Sequence, residues 1–172
     1  MAIIKPLRGK SPIIGKNCFI AETAVIIGDV EIGDDCSIWY GAVLRGDVNP
    51  IRIGNRVSVQ DNAVLHTTYQ KSIVTLEDDV SIAHNATVHG ATVRSGALIG
   101  IGATVLDFTE VGEGAIVAAN ALVLANTQIE PGSIYAGVPA KFVKKMDVAQ
   151  SKAINQRIAK GYIMYKGWYG EE

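Results

Sequence analysis

The chain contains only three histidines, His66, His84 and His89. A neutral imidazole is a good ligand for zinc, iron or cobalt. Three such ligands leave a tetrahedral metal one open position for water. The water pKa then falls to about 7, which makes a hydroxide nucleophile at neutral pH. His66 follows Leu65 and His89 follows Val88. If those aliphatic residues point inward along strands, alternation turns both imidazoles outward. His84 lies 18 residues after His66, nominally one coil of the repeat described next. A His-x4-His spacing is unspecific by itself. Three histidines beside breaks in a repeat, with none elsewhere, form a stronger pattern.

The elements that must position them are set by a period of six. Ile14, Ile20, Ile26, Ile32, Ile38 and Leu44 are aliphatic at six-residue steps. The count resumes at Ile53, Val59 and Leu65, and again at Leu76, Ile82 and Val88. It then runs from Val93 through Ile99, Val105, Val111, Val117 and Val123 to Ile129. Small residues stand two places earlier, among them Cys18, Ala24, Cys36, Ala42, Ala63 and Ala86. Six matches neither the helical period of 3.6 nor the strand period of 2. Hexapeptide repeats instead signal a parallel β-helix, an all-β solenoid in which three hexads close a triangular coil. Gly and Asx residues follow at the bends, where left-handed or turn geometry costs little.

The repeat breaks at Arg45-Gly46-Asp47-Val48-Asn49-Pro50, at a loop from Thr67 to Ser72, and between Val88 and Val93. Solenoids place functional insertions on one face. A flat solenoid face cannot wrap a metal alone, so a neighbouring subunit would complete the site, and a cyclic trimer is the economical assembly. After Pro139 the count stops. Asp147 is placed to cap a helix running to about Tyr165. Ile154, Ile158, Tyr162 and Tyr165 form the stripe expected to pack on the prism. The division is one domain over residues 1–172, with a β-helix over 11–140 and a C-terminal α-helix over 147–166.

Composition narrows the function. With 172 residues and a net charge of −1, there is no electrostatic case for nucleic acid or an anionic membrane. No apolar run approaches the roughly 18 residues of a membrane span. The first residues lack a secretory pattern, so the expected location is cytoplasmic. Cys18 and Cys36, one coil apart on the small position, are expected to be reduced and structural. The sequon Asn85-Ala86-Thr87 is expected to be idle, and Asn62 and Asn85 read as bend residues.

The motifs Leu44-Arg45-Gly46-Asp47, Val59-Gln60-Asp61-Asn62, Leu65-His66, Ala83-His84-Asn85, Val88-His89-Gly90 and Gly137-Val138-Pro139-Ala140-Lys141 resemble those of gamma-class carbonic anhydrases and their hexapeptide-repeat relatives. The resemblance covers nearly the whole chain. It implies a left-handed β-helix and a homotrimer with a zinc, or alternatively iron or cobalt, at each subunit interface. It implies reversible CO2 hydration by metal-bound hydroxide, a zinc-dependent lyase of the carbonate dehydratase type with CO2 and bicarbonate as its small-molecule substrates. His66 and His89 would come from one subunit and His84 from its neighbour. Gln60 would orient the metal-bound water. Arg45 would sit in the site or pair with Asp61 across the interface, with Asp47 beside it. Tyr162 matches a tyrosine that reaches the site in some relatives. Arg45, Asp47 and Asp61 also read as interfacial ion pairs, and Gln60 as a turn cap. The loop from Thr67 to Ser72 lacks the carboxylates that pass protons to solvent in active members, which points to weak hydration. Two alternatives use the same fold: a hexapeptide acyltransferase or CoA thioesterase with a histidine base, and a catalytically silent scaffold.

Overall fold

The computed structural model describes residues 1–169. The chain winds as a left-handed β-helix of parallel strands with one helix, α1 (Val148–Trp168), alongside. One face stacks Val25, Val43, Val64, Thr87, Thr104 and Leu122 in register. A second stacks Ile53, Leu76, Val93, Val111 and Ile129. The third stacks Phe19, Ser37, Ser58, Ser81, Leu98, Ile116 and Ile134. Antiparallel Lys141–Lys145 pairs with Ser133–Ala136 and ends this last face.

The hexad aliphatics fill the prism. Ile26, Leu44, Leu65, Val88, Val105 and Val123 are all buried, as are Ile38, Val59, Ile82, Ile99 and Val117. Each such side chain contributes about 1.5–3 kcal/mol of hydrophobic free energy. Ala24, Cys36, Ala42, Ala63 and Ala86 are buried beside them, where a larger side chain would overfill the coil.

All three breaks change the register, and the third, between Val88 and Val93, shortens the coil so that Val88 pairs with Val105 and Leu76 with Val93. Val43–Ile53 is one long strand crossing two faces, and the loop between His66 and Val74 lengthens the coil that follows. Val88 therefore stacks on Leu65, and His89 on His66, 23 residues apart. The expected one-coil relation of His84 to His66 is corrected: His84 sits at a different corner. There Asn85 N–H bonds Asp61 O and Gly102 N–H bonds His84 O. Asn62 and Asn85 take φ of 58° each at these bends, a region Asn tolerates.

Helix α1 starts where expected. The Asp147 side chain accepts from Gln150 N–H at 3.0 Å, which satisfies one of the free donors of the first turn. The helix's docking face differs from the expected apolar stripe. Ile154 and Tyr165 are exposed, whereas Ser151, Asn155 and Ala159 are buried. Ser151 Oγ donates to Gly114 O, and Asn155 Nδ2 donates to Gly96 O at 2.9 Å. The reason lies in the solenoid corner. Gly96 and Gly114 have φ of 64° and 63°, and a Cβ on Gly114 would come within 2.9 Å of Lys152 Cγ and 3.2 Å of Val148 O. The helix therefore approaches bare backbone, and its contact residues must donate to carbonyls rather than cover apolar side chains.

Candidate functional site

The histidines divide between two corners. At the first, Asp61 and His84 stand on successive coils. Asp61 Oδ2 lies 2.8 Å from His84 Nδ1. An ionised carboxylate only accepts, so Nδ1 carries the proton and Nε2 presents its lone pair. Tyr162 Oη lies 3.2 Å from that Nε2. Burial, and then the charge of Asp61, raise the Tyr162 pKa. The phenol stays protonated and donates. Tyr162 is positioned by α1 and by the edge of Trp39, with ring centroids 5.2 Å apart.

This file opens on an apolar cleft of about 340 Å³ between α1 and the solenoid, lined by Gln60, His84, Ile101, Ile116, Ile158 and Tyr162. Gln60 is only 3% exposed. A phenol, an imidazole and an amide thus converge on an apolar volume, the general pattern of a small-molecule site.

At the second corner the expected site residues Arg45, Asp47, His66 and His89 form one continuous file. Arg45 pairs with Asp47 within the chain. Asp47 Oδ1 is 3.0 Å from His66 Nε2, and His66 Nδ1 is 3.1 Å from His89 Nε2. His89 Nδ1 is 2.8 Å from Asp107 Oδ2. Thr68 Oγ1 donates to Asp107 Oδ1 at 2.9 Å, as does Ser72 Oγ, and Asn49 Nδ2 donates to Thr68 O and Ser72 O. The loop from Thr67 to Ser72 therefore serves to hold Asp107. The two carboxylates fix protons on the outer nitrogens of the imidazole pair, which turns two ring lone pairs toward each other. The ring–ring contact is a hydrogen bond only with a further shared proton. Burial alone would raise both carboxylates, but hydrogen bonds outweigh it: from Arg45 and His66 on Asp47, and from Ser72, His89 and Thr68 on Asp107. Both are held below the usual range.

Asp107 was not among the sequence candidates. It stands 18 residues after His89, but the coil there is one residue shorter, since Val88 pairs with Val105, so regular spacing does not point to it. No motif marks it, because its role depends on a loop whose path the hexads do not encode.

The expected metal centre is corrected. Among the described residues, no group of three or more His, Cys, Asp or Glu side chains converges to hold a metal ion. The 23-residue coil stacks His89 on His66, while His84 is turned to Asp61 and Tyr162 at another corner. The chain's own donors therefore do not fit the zinc, iron or cobalt cofactor, and the zinc-dependent lyase reading falls with it. Gln60 lines the cleft beside His84, away from the imidazole pair.

Coil register and corner chemistry define a hexapeptide-repeat β-helix protein. Residues 11–46 match the family model described as bacterial transferase hexapeptide (six repeats). The chain is 47% identical over 167 residues to a carbonic anhydrase of Geobacillus kaustophilus, covering 97% of this chain and 90% of that one. It is 45% identical over 159 residues to gamma carbonic anhydrase 2, mitochondrial, of Arabidopsis thaliana, covering 90% of this chain and 57% of that one. A solved Bacillus cereus structure, provisionally described as an acetyltransferase, superposes with a TM-score of 0.93 at 39% identity, covering 98% and 96% of the two chains. The chain belongs to the gamma-carbonic-anhydrase-like family of hexapeptide-repeat proteins.

Proposed function

We propose that the chain is an acyl-transfer protein that uses His84 as a general base without a resident metal. The observation that carries this reading is the Asp61–His84–Tyr162 file at the mouth of the apolar cleft. Asp61 holds the Nδ1–H tautomer, so the Nε2 lone pair is available to a nucleophile, the arrangement that activates weak nucleophiles in hydrolases and transferases. An acceptor hydroxyl or amine, or water in the thioesterase variant, displaces the Tyr162 hydroxyl from Nε2. It loses its proton to Nε2 as it attacks the carbonyl carbon of an acyl thioester. The Gln60 amide donates to the developing oxyanion. Collapse of the tetrahedral intermediate breaks the C–S bond, and the imidazolium returns the proton to the departing thiolate. The apolar walls Ile101, Ile116 and Ile158 receive the acyl group. The likeness to the Bacillus cereus structure, provisionally described as an acetyltransferase, is in keeping with this chemistry.

The test is thiol release from a panel of acyl-CoA thioesters, with and without amine and hydroxyl acceptors. Acyl-CoA-dependent release that His84→Gln abolishes is expected. Absence of release across the panel, or an unchanged rate in His84→Gln, overturns the reading.

A second reading is favoured by the similarity to the Geobacillus kaustophilus carbonic anhydrase. CO2 would replace the thioester as the electrophile, with water as the nucleophile on the same base. Stopped-flow hydration on the same preparation separates the two. In this case the rate should rise with buffer concentration, because the proton that His84 takes from water must pass to solvent before the next turnover.

The assembly in this reading is a homotrimer. Ile101 is exposed at the His84 corner, and Phe108 and Leu124 are exposed beside the corner that carries His89 and Asp107. Joining two different corners is a heterologous contact, which closes into a three-membered ring when each step turns by a third of a circle. Sedimentation should give three times the chain mass; a monomer at micromolar concentration contradicts it. Among the described residues no helix is long and apolar enough to cross a membrane.

A further inference from the structure

Cys18 and Cys36 occupy the same corner position on adjacent coils. The next residues, Phe19 and Ser37, are ladder partners, and Phe19 N–H bonds Cys36 O at 2.9 Å. Neighbouring strands stand about 4.7–4.9 Å apart, within the Cα separation of roughly 4.4–6.8 Å that a disulfide accepts. Each thiol donates to a carbonyl in the next coil, Cys18 to Gly33 O and Cys36 to Gly54 O, both at 3.1 Å. Their exposure differs. Cys36 is fully buried, whereas Cys18 lies half-buried in the first coil. Phe19–Ile20 is the outermost strand of its sheet, so nothing in that ladder lies beyond Cys18. The Lys166 ammonium is close by, donating to Asn17 O and standing 3.6 Å from Asp35 Oδ1.

We propose that Cys18 is a peroxide-sensitive modification site and that Cys36 is its resolving thiol, so that the two close a reversible disulfide between the first two coils. The Cys18 thiolate attacks one oxygen of hydrogen peroxide. The O–O bond breaks, hydroxide leaves, and Cys18 becomes a sulfenic acid. The Cys36 sulfur then attacks the Cys18 sulfur; its proton and the sulfenic hydroxyl leave as water. Two thiols are oxidised and one peroxide is reduced to two waters. A dithiol reductant reverses the change.

The two sulfurs are unequal in the direction this requires. The neighbouring Cys36 first, and then the charge of Lys166, outweigh burial and lower the Cys18 pKa to about 7. The neighbouring Cys18 and burial push the Cys36 thiol up. The exposed sulfur is the one that ionises near neutrality, and the thiolate is the reactive form. The ladder that pairs the first two coils places the resolving cysteine on the coil next to Cys18.

The test uses the intact chain, treated with a small excess of hydrogen peroxide and read by whole-protein mass and peptide mapping. The expected product has lost two hydrogens and carries a Cys18–Cys36 cross-link that dithiothreitol removes. Cys36→Ser should instead accumulate a sulfenic acid at Cys18, captured by dimedone. Cys18→Ser should give neither product. Labelling of Cys36→Ser should rise severalfold from pH 6 to pH 8. Circular dichroism melting of each variant separates loss of reactivity from loss of fold. Two outcomes overturn the proposal: both thiols stay free in folded protein under peroxide that cross-links the urea-unfolded chain, or dimedone marks Cys36 before Cys18.

Discussion

The two histidine corners share a residue type and a scaffold but leave different atoms free. At the His84 corner, one carboxylate and one phenol engage the ring, and among the described residues the phenol alone is on Nε2. A substrate hydroxyl can take its place. At the His66–His89 corner, every ring nitrogen already faces a carboxylate or the other ring. Nothing there yields without breaking a file that also anchors a loop. The contrast shows that reactivity in this fold depends less on the presence of histidine than on how many partners the coil register gives it.

The largest effect separates the corners by activity. His84→Gln should lower turnover by about 10²–10⁴-fold, the usual contribution of a positioned base, with little change in melting temperature. His89→Gln should leave turnover within a few-fold of the parent. Equal losses from both substitutions would erase the distinction between a working and a structural corner.

Stability should divide the other way. His89→Ala removes the imidazole between His66 and Asp107 and leaves a partly buried carboxylate with hydroxyl partners alone. The expected cost is about 1–3 kcal/mol in urea unfolding. His84→Ala, at a half-exposed position, should cost less than about 1 kcal/mol. The reverse order of the two costs would mean that the file does not anchor the loop.

Acid should reveal the same corner. Asp47 and Asp107 are held below their ordinary values in the folded chain. Such groups contribute stability that is present above the unfolded carboxylate pKa, near 3.9, and is lost as pH falls through the lower folded values. Melting temperature should therefore hold from pH 7 to about pH 5 and decline below about pH 4. Asp107→Asn should start lower at pH 7 and show a shallower decline. A decline of the same depth in that variant would assign the acid sensitivity to other carboxylates.

How far these corners could be read beforehand depends on what the hexads encode. Inward aliphatics from Ile26 to Ile129 follow the six-residue count, because one buried side chain per strand is what a triangular coil demands. The partner of each histidine does not follow it. The loop from Thr67 to Ser72 and the long strand from Val43 to Ile53 alter coil length, so His89 rather than His84 meets His66. Helix α1 misled for another reason. Its stripe of Ile154, Ile158, Tyr162 and Tyr165 suggested an apolar partner surface, but the corner beneath is glycine backbone, which selects Ser151 and Asn155. Family resemblance singled out Tyr162; its hydrogen bond to His84 depends on that polar docking.

Tyr162→Phe refines the working corner. The phenol occupies the lone pair that a nucleophile must use, so its loss removes a competitor and also a contact that holds the ring. The expected result is a lower KM for the acceptor with kcat changed less than about tenfold. A loss as deep as that of His84→Gln would make Tyr162 a catalytic group rather than an occupant of the base.

The smallest expected effect is that of a chelator. The imidazole pair turns two nitrogens toward each other, whereas a zinc centre takes three or four protein donors. The third histidine of the chain is committed to Asp61 and Tyr162 at a different corner. Extended dialysis against EDTA should therefore leave turnover and melting temperature unchanged, and added zinc should restore nothing. The measurement tests the corner comparison from outside the chain. If EDTA abolished turnover and zinc restored it, the donor set would have to be completed by a second copy. In the trimer, where the two corners face each other, His84 of one subunit would then join the imidazole pair of its neighbour as a donor, and the corners would be halves of one site rather than a working corner and a structural one. His89→Gln separates the cases in the same assay, because only a shared site would make it as inactive as His84→Gln.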